Sequence, residues 1–425
     1  MTKGIFRKAA TLMISVTLAA SGLSGCSKPE DSGKVEIEVL SYKREAAKVM
    51  EEIAERFNET HDDIHLTINS PNEAMTILKT RLVREDYPNI VAIGGDINYS
   101  NFLDADLFEN LEGLPLLDDV KEGYLDIEKD LELVPKDGVY AVPAVANAAG
   151  VLYNKEMFEE HGWELPTTWD EFMSLCQTIQ DSGITPLYFG FKDIWTTLAP
   201  WNALAVGLCE PDTPMQVSSG NTTFTEAYDE VAFKIKEMLK YSEPNPFAYS
   251  YNDAATAFAR GEAAMWPIGS YAIPQVLSVN PDLEIGSFVM PCTNDPDQRI
   301  LNSGIDVQYS ILASTPNQEE AKEVLDYLMS DEVMELYMAD QGGVSAKKGD
   351  FELSPYLTDM KPWIDAGKVA DFQDYHYPAE MAVDALIQTY LLDDSPNARE
   401  VFLKGFDEAW QRYNRDLIRR LQSEE

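Results

Sequence analysis

The chain is poor in basic residues: 33 Lys and Arg stand against 73 Asp and Glu, a formal charge of −40 over 425 residues. A surface that acidic repels phosphate backbones and anionic lipid headgroups, which argues against nucleic acid as a partner. Cysteine is scarce too, with only Cys26, Cys176, Cys209 and Cys292. The three after Cys26 cannot all pair within one chain, and no two stand at metal-ligand spacing, so they read as small buried apolar residues. A Gly-rich phosphate loop, a G-x-S-x-G elbow and a Cys-x-x-Cys pair are all missing, and with them the usual signs of phosphate cradling, serine hydrolysis and dithiol redox chemistry. Beyond Cys26 no apolar run is long enough to cross a bilayer.

Several weaker patterns carry little. His61 and His65 stand four apart, but no Glu follows His61 and the segment leads into an alternating strand, so surface histidines are expected. Asn294-Asp295-Pro296-Asp297 offers oxygens but lacks the glycine and distal Glu of a calcium loop, and reads as a turn. Among 73 acids some close carboxylate pairs are inevitable, which leaves glycoside hydrolysis open.

What the chain does have begins at its start. Lys3, Arg7 and Lys8 precede a mostly apolar run from Ala9 to Ala20 and then Leu23-Ser24-Gly25-Cys26. Charge, short apolar core and small residues describe a secretory signal over residues 1–25. Small residues ending at a cysteine resemble a bacterial lipobox, so Cys26 is expected to carry lipid. Residues 26–34 are polar, with Pro29 and Gly33, and read as a flexible tether. Past the tether, 45% hydrophobic residues supply more core than one small domain needs. Val35, Ile37 and Val39 alternate as in a strand, and Val49, Met50, Ile53 and Phe57 follow at helical spacing. Ile64, Leu66 and Ile68 alternate again, and Ile90-Val91-Ala92-Ile93 predicts a strand buried on both faces. The pattern is α/β, with a mainly parallel sheet expected. Thr168 with Glu171 forms a capping box, residues 292–303 read as a loop, Val307 to Ala313 as a strand, and the end as helices over Met381–Leu392 and from Pro396, after an N-cap Ser395, to about Leu421.

Aromatic residues in Gly-, Pro- and Thr-rich segments are the candidate binding material: Trp195, Trp201, Trp266 and Tyr271, and also Tyr42, Tyr375, His376 and Tyr377. Loop aromatics beside polar groups suit stacking on sugar rings, although any one of them is more often core.

Four passages in order resemble the family-1 extracellular solute-binding proteins of bacterial ABC importers, the maltose-binding-like group. They are Pro88-Asn89-Ile90-Val91 with Gly95-Asp96 and Asp106 to Leu111; Tyr140-Ala141-Val142-Pro143 with Leu152 to Lys155 and Pro166 to Glu171; Gly261 to Trp266 with Gly269-Ser270-Tyr271; and Ala321 to Leu328 with Gly342 to Ala346. The likeness spans about Val35 to Tyr413. It implies a two-lobed periplasmic-binding-protein type II fold, with lobe one over 35–144 plus 303–345 and lobe two over 147–290 plus 352–425. Three hinge crossings are expected near Pro143–Asn147, Met290–Asn302 and Gly343–Phe351, with the ligand in the cleft. Carried over position by position, the resemblance implies ligand contacts from Tyr42, Lys43, Asp96, Asn147, Trp195, Trp266, Tyr271, Gly304, Asp306, Tyr375 and His376. Asn147 stands where the maltose-binding protein has an acid, which departs from that protein's sugar chemistry.

The expectation is a carbohydrate-binding component of an ABC importer, monomeric, without cofactor, metal or catalytic activity, lipid-anchored on the extracytoplasmic side of the membrane and serving permease subunits. A polyamine or glycerol-phosphate in the same fold, or a secreted glycoside hydrolase, are the alternatives. The anchor has a direct check. Cys26→Ala should move the protein out of the membrane fraction, and equal partitioning of mutant and wild type would remove the lipobox reading.

Overall fold

The structure, a computed structural model, describes residues 33–423. The signal segment, Cys26 and nearly all of the tether lie outside the described residues. The chain divides into Met1–Lys34 and Val35–Glu425.

In chain order the strands are β1 (Val35–Ser41), β2 (Ile64–Asn69), β3 (Ile90–Ile93), β4 (Val142–Ala146), β5 (Val151–Asn154) and β6 (Thr185–Leu187). They continue with β7 (Ala263–Trp266), β8 (Ile285–Phe288), β9 (Leu301–Asn302), β10 (Ile305–Ile311), β11 (Val344–Ser345) and β12 (Val369–Ala370). A six-stranded sheet runs β11-β4-β10-β3-β1-β2, a four-stranded sheet β6-β7-β5-β8, and β9 pairs with β12. All four residues of β3 are buried, as its unbroken apolar run requires. The larger sheet corrects one expectation. β1 runs parallel to β2 and β3, but β10 is antiparallel to β3 and β4, and β11 is antiparallel to β4. Strand β10 arrives from the other sheet rather than over a crossover helix, so the returning chain sets its direction.

Helices cover these sheets along their apolar faces. Ala47–Thr60 buries Val49, Met50, Ile53 and Phe57. Trp169–Asp181 opens on the expected capping box, with the Glu171 amide donating to the Thr168 hydroxyl at 3.3 Å, and it buries Phe172, Leu175 and Ile179. The single helix expected after Pro396 is two, Ala398–Tyr413 and Arg415–Ser423, and Asn397 rather than Ser395 precedes the first. The break at Asn414 turns the chain so that Leu417 and Ile418 are buried.

The chain passes between the two sheets three times: from β4 to β5 through residues 147–150, from β8 to β10 through 289–304, and after β11 back to the turn Pro355–Met360, which packs along β8. The first two passages are hydrogen-bonded to each other, Asn147 N to the Gly304 carbonyl at 2.9 Å and Ala149 N to that of Asn302 at 2.8 Å.

Around the four-stranded sheet the core is aromatic. The Phe406 ring, fully buried, meets Trp201, Phe224, Tyr228, Tyr377 and Phe402 at centroid distances from 4.8 to 6.2 Å. Its position in that cluster generates a test. Phe406→Ala should cost about 3–5 kcal/mol by lost transfer energy and cavity formation, read as a fall in the denaturant midpoint.

Candidate functional site

Strand β1 ends at Ser41, and the next two residues turn towards β10. The Tyr42 hydroxyl donates to the Asp306 carbonyl at 2.7 Å and to Asp306 Oδ1 at 3.2 Å. Lys43 Nζ lies 2.8 Å from the same Oδ1, and Asn147 Nδ2 donates to it at 3.2 Å. Asp306 thus gathers three residues named from the sequence, and its Oδ2 has no partner among the described residues. Burial, with the Asp306 charge beside it, pushes the Tyr42 phenol well up, so it stays a neutral donor. Gly304 stands just before β10, where a Cβ would come within 2.7 Å of the Tyr375 ring. Glycine there lets that ring lie against the strand.

Asp96 follows Gly94-Gly95 at the end of β3 and caps the helix Ile97–Asp104, its Oδ1 accepting from Asn98 N at 2.8 Å. Burial raises its carboxyl, while hydrogen bonds from Asn98 oppose the shift.

Trp195 and Tyr271 form a second group, beside the four-stranded sheet. Trp195 stands in the single turn Ile194–Thr197, held by Asp193, whose carboxylate accepts from Tyr251 N at 2.8 Å at the start of the helix Tyr251–Ala259. The Trp195 ring lies 5.1 Å from that of Tyr251 and 6.2 Å from that of Tyr271. Tyr271 folds back over Gly269, where a Cβ would come within 2.3 Å of its ring. Both Trp195 (41% exposed) and Tyr271 (40%) keep a face open to solvent.

Two expected contacts are corrected. Trp266 ends β7, is 0% exposed, and packs on Tyr251 and Phe258, because β5 and β6 flank its strand on both sides. It supports the Trp195 cluster from beneath. His376 is also buried, 3.5 Å from Asp371, and burial pushes its imidazole down to about 4 while raising the Asp371 carboxyl. Each is held towards its neutral form, as a core pair.

Other residues join the site without having been singled out. The Asp374 carboxylate accepts from Asn202 Nδ2 at 2.6 Å, and Asp374 N donates back to Asn202 Oδ1 at 3.2 Å. Burial pushes Asp374 up to about 6, opposed by Asn202 and reinforced by the charges of Asp96 and Asp384. The charge of Asp374 adds to burial in raising the phenols of Tyr271 and Tyr375. Its sequence signal was its place beside Tyr375; Tyr251 and Asn202 had none. His61 stacks on Phe57 and His65 bonds Glu36, so the two histidines have separate partners. Among the described residues no cluster of three or more His, Cys, Asp or Glu could hold a metal ion. The arrangement offers open aromatic faces beside half-buried carboxylates and amides, which can hold a polyhydroxylated ring by stacking and hydrogen bonding.

Residues 41–335 match the family described as bacterial extracellular solute-binding protein. The multiple sugar-binding protein of Streptococcus mutans serotype c is 30% identical over 347 residues, covering 79% of this chain and 81% of that protein. Ligand-free RafE from Streptococcus pneumoniae aligns with a TM-score of 0.78 at 27% identity, over 89% of this chain and 98% of its own. RafE in complex with raffinose aligns at 0.69 and 29% identity, over 89% of this chain and 100% of its own.

The contrast between the two tryptophans can be measured by unfolding the ligand-free protein. Trp266→Ala should cost about 3–5 kcal/mol, and Trp195→Ala less than about 1 kcal/mol. Equal losses would place Trp195 in the core.

Proposed function

The chain belongs to the bacterial extracellular solute-binding proteins, and from that premise we propose that it captures a carbohydrate between its lobes and delivers it to the permease of an ABC importer. The observation that carries this reading is the pair of open rings, Trp195 and Tyr271, beside the carboxylates of Asp96 and Asp374. Sugar rings have apolar C–H faces that stack on aromatics and hydroxyl edges that donate to carboxylates. Asp306 Oδ2 and Tyr42 supply further polar groups from the other lobe, and Asn147 one from the first passage between them. The lobes are taken as 35–144 plus 303–345 and 147–290 plus 352–425, closing on the ligand about the three passages. Names of the relatives support a sugar: the S. mutans protein is a multiple sugar-binding protein, and RafE is seen with raffinose. Members of this family bind and hand over rather than convert, so no catalytic activity is assigned here. Lipid at Cys26 would hold a monomer on the outer face of the membrane, within reach of the permease.

Three carboxylates beside aromatics also suit a cationic polyamine. Lys43 already neutralises Asp306, which lowers the charge available to a cation. A melting screen against sugars and polyamines separates the two, because a ligand bound only by the folded state raises its stability.

Calorimetric titration with the sugar so found tests the residues. Trp195→Ala and Tyr271→Ala should each weaken binding roughly thirty-fold, about 2 kcal/mol. Asp96→Asn, which keeps the shape and loses the charge, should cost roughly tenfold. Unchanged affinities would remove these residues from the site, and release of a shortened sugar would point to a hydrolase instead.

Asp374 adds a pH dependence. Its folded carboxyl is raised, so protonation is half complete near pH 6 in the empty site. Hydroxyl donors favour the ionised form, so affinity should be full above pH 7 and fall as pH drops through about 6, by up to about tenfold per unit. Asp374→Asn should flatten that dependence.

A further inference from the structure

A cavity of about 590 Å³ lies beside the constellation rather than on it. Its first wall is the helix Ile97–Asp104, the one that Asp96 caps, and its second is the C-terminal pair of helices around Asn414. Asn98 belongs to both places. It bonds the Asp96 carboxylate through its backbone and side chain, and it lines the cavity with Asn101. Across from these amides are Arg412, Tyr413 and Arg415. Tyr413 is 43% exposed, and neither its hydroxyl nor the two guanidinium groups have a partner among the described residues. Unpaired guanidinium groups are unexpected in a chain with 73 acids and 33 basic residues. Two of the lining residues join the walls by a bidentate ion pair, Arg420 donating to the two carboxylate oxygens of Asp104 at 2.9 and 2.8 Å.

We propose that this cavity is an outer sugar subsite, in which a further neutral hexose unit of an oligosaccharide stacks on Tyr413 and hydrogen-bonds to Asn101, Arg412 and Arg415. The proposal rests on the carbohydrate reading above and extends it to ligand length. Its volume falls within the roughly 300–1,000 Å³ of small-molecule sites, and its lining sets one open ring among amides and charged groups of both signs, the kind of surface that meets a sugar's C–H face and hydroxyls. Because the cavity adjoins Asp96, a chain of sugar units can run from the Trp195–Tyr271 faces past that carboxylate and on to Tyr413. A monosaccharide held at the inner faces would not reach it.

Two length series test this on the full chain: melibiose, raffinose and stachyose, and maltose, maltotriose and maltotetraose. The wild type should bind the longer members of its series more tightly. Tyr413→Ala should weaken tri- and tetrasaccharide about tenfold and the disaccharide less than twofold, with the ligand-free melting temperature unchanged. Tyr413→Phe should keep the affinity, since stacking needs the ring, and Arg412→Ala should weaken only the longer sugars. Equal losses on every length, or none on any, would overturn the subsite while leaving the carbohydrate reading intact. Silence of the wild type towards both series would remove the reading on which the subsite rests, and the subsite with it.

Discussion

Asp306 Oδ1 takes Tyr42, Lys43 and Asn147 onto one carboxylate oxygen, and the cleft side of the larger sheet is organised around it. The three partners come from the loop after β1 and from the first passage between the sheets, while Asp306 itself belongs to the strand that returns. A half-buried carboxylate with an ammonium beside it is compensated, and a charge-assisted bond is stronger than a neutral one. Backbone bonds reinforce the same junction: Tyr42 reaches the Asp306 carbonyl and Asn147 N that of Gly304. The polar groups there are ordered before any ligand arrives, which lowers the entropy that binding must overcome.

The carboxylates nearer the aromatic rings are held differently. Asp96 is bonded by the amide of Asn98 and Asp374 by that of Asn202, and the direct hydrogen bonds to both come from neutral groups. Amide partners fix the orientation of a carboxylate without pairing it directly with a cation; the Lys79 charge opposes the shift at Asp96 only in part, and burial raises both acids. A hydroxyl that donates to such a group gains more than it would from one already paired with lysine. Strain-free support comes from the fold: a buried Trp266 beneath Tyr251, and Gly269 and Gly304 where rings close on the backbone.

The periodicities of β1, β2, β3 and the Ala47–Thr60 helix were legible in the chain because each buries one face or both over an unbroken segment. So was the Thr168 capping box, which is local chemistry. Sheet direction was not legible, since β10 pairs with β3 and β4 across more than 150 residues, and no local pattern records which way a returning strand runs. Among the aromatics the outcome turned on neighbours. Trp195 and Trp266 stand in equally turn-rich surroundings, but one lies within a single turn and the other ends a strand flanked on both sides. In the turn Gln373–His376, Asp374 and Tyr375 are partly exposed while Gln373 and His376 are buried, a difference set by how one short turn lies on the core.

The sequence by itself determined the α/β class, the acidic surface, the lack of the common catalytic motifs and the resemblance that named a cleft between lobes. Those properties are sums over composition or follow from local spacing, and they survive any arrangement of the parts. Only the tertiary structure decided which ring faces are open, which carboxylate carries a countercharge and which has amide partners, and where the C-terminal helices meet the helix that Asp96 caps. Each of these depends on groups brought within a few ångströms from distant parts of the chain, Asp104 and Arg420 among them, and exposure, pairing and electrostatics are properties of that proximity alone.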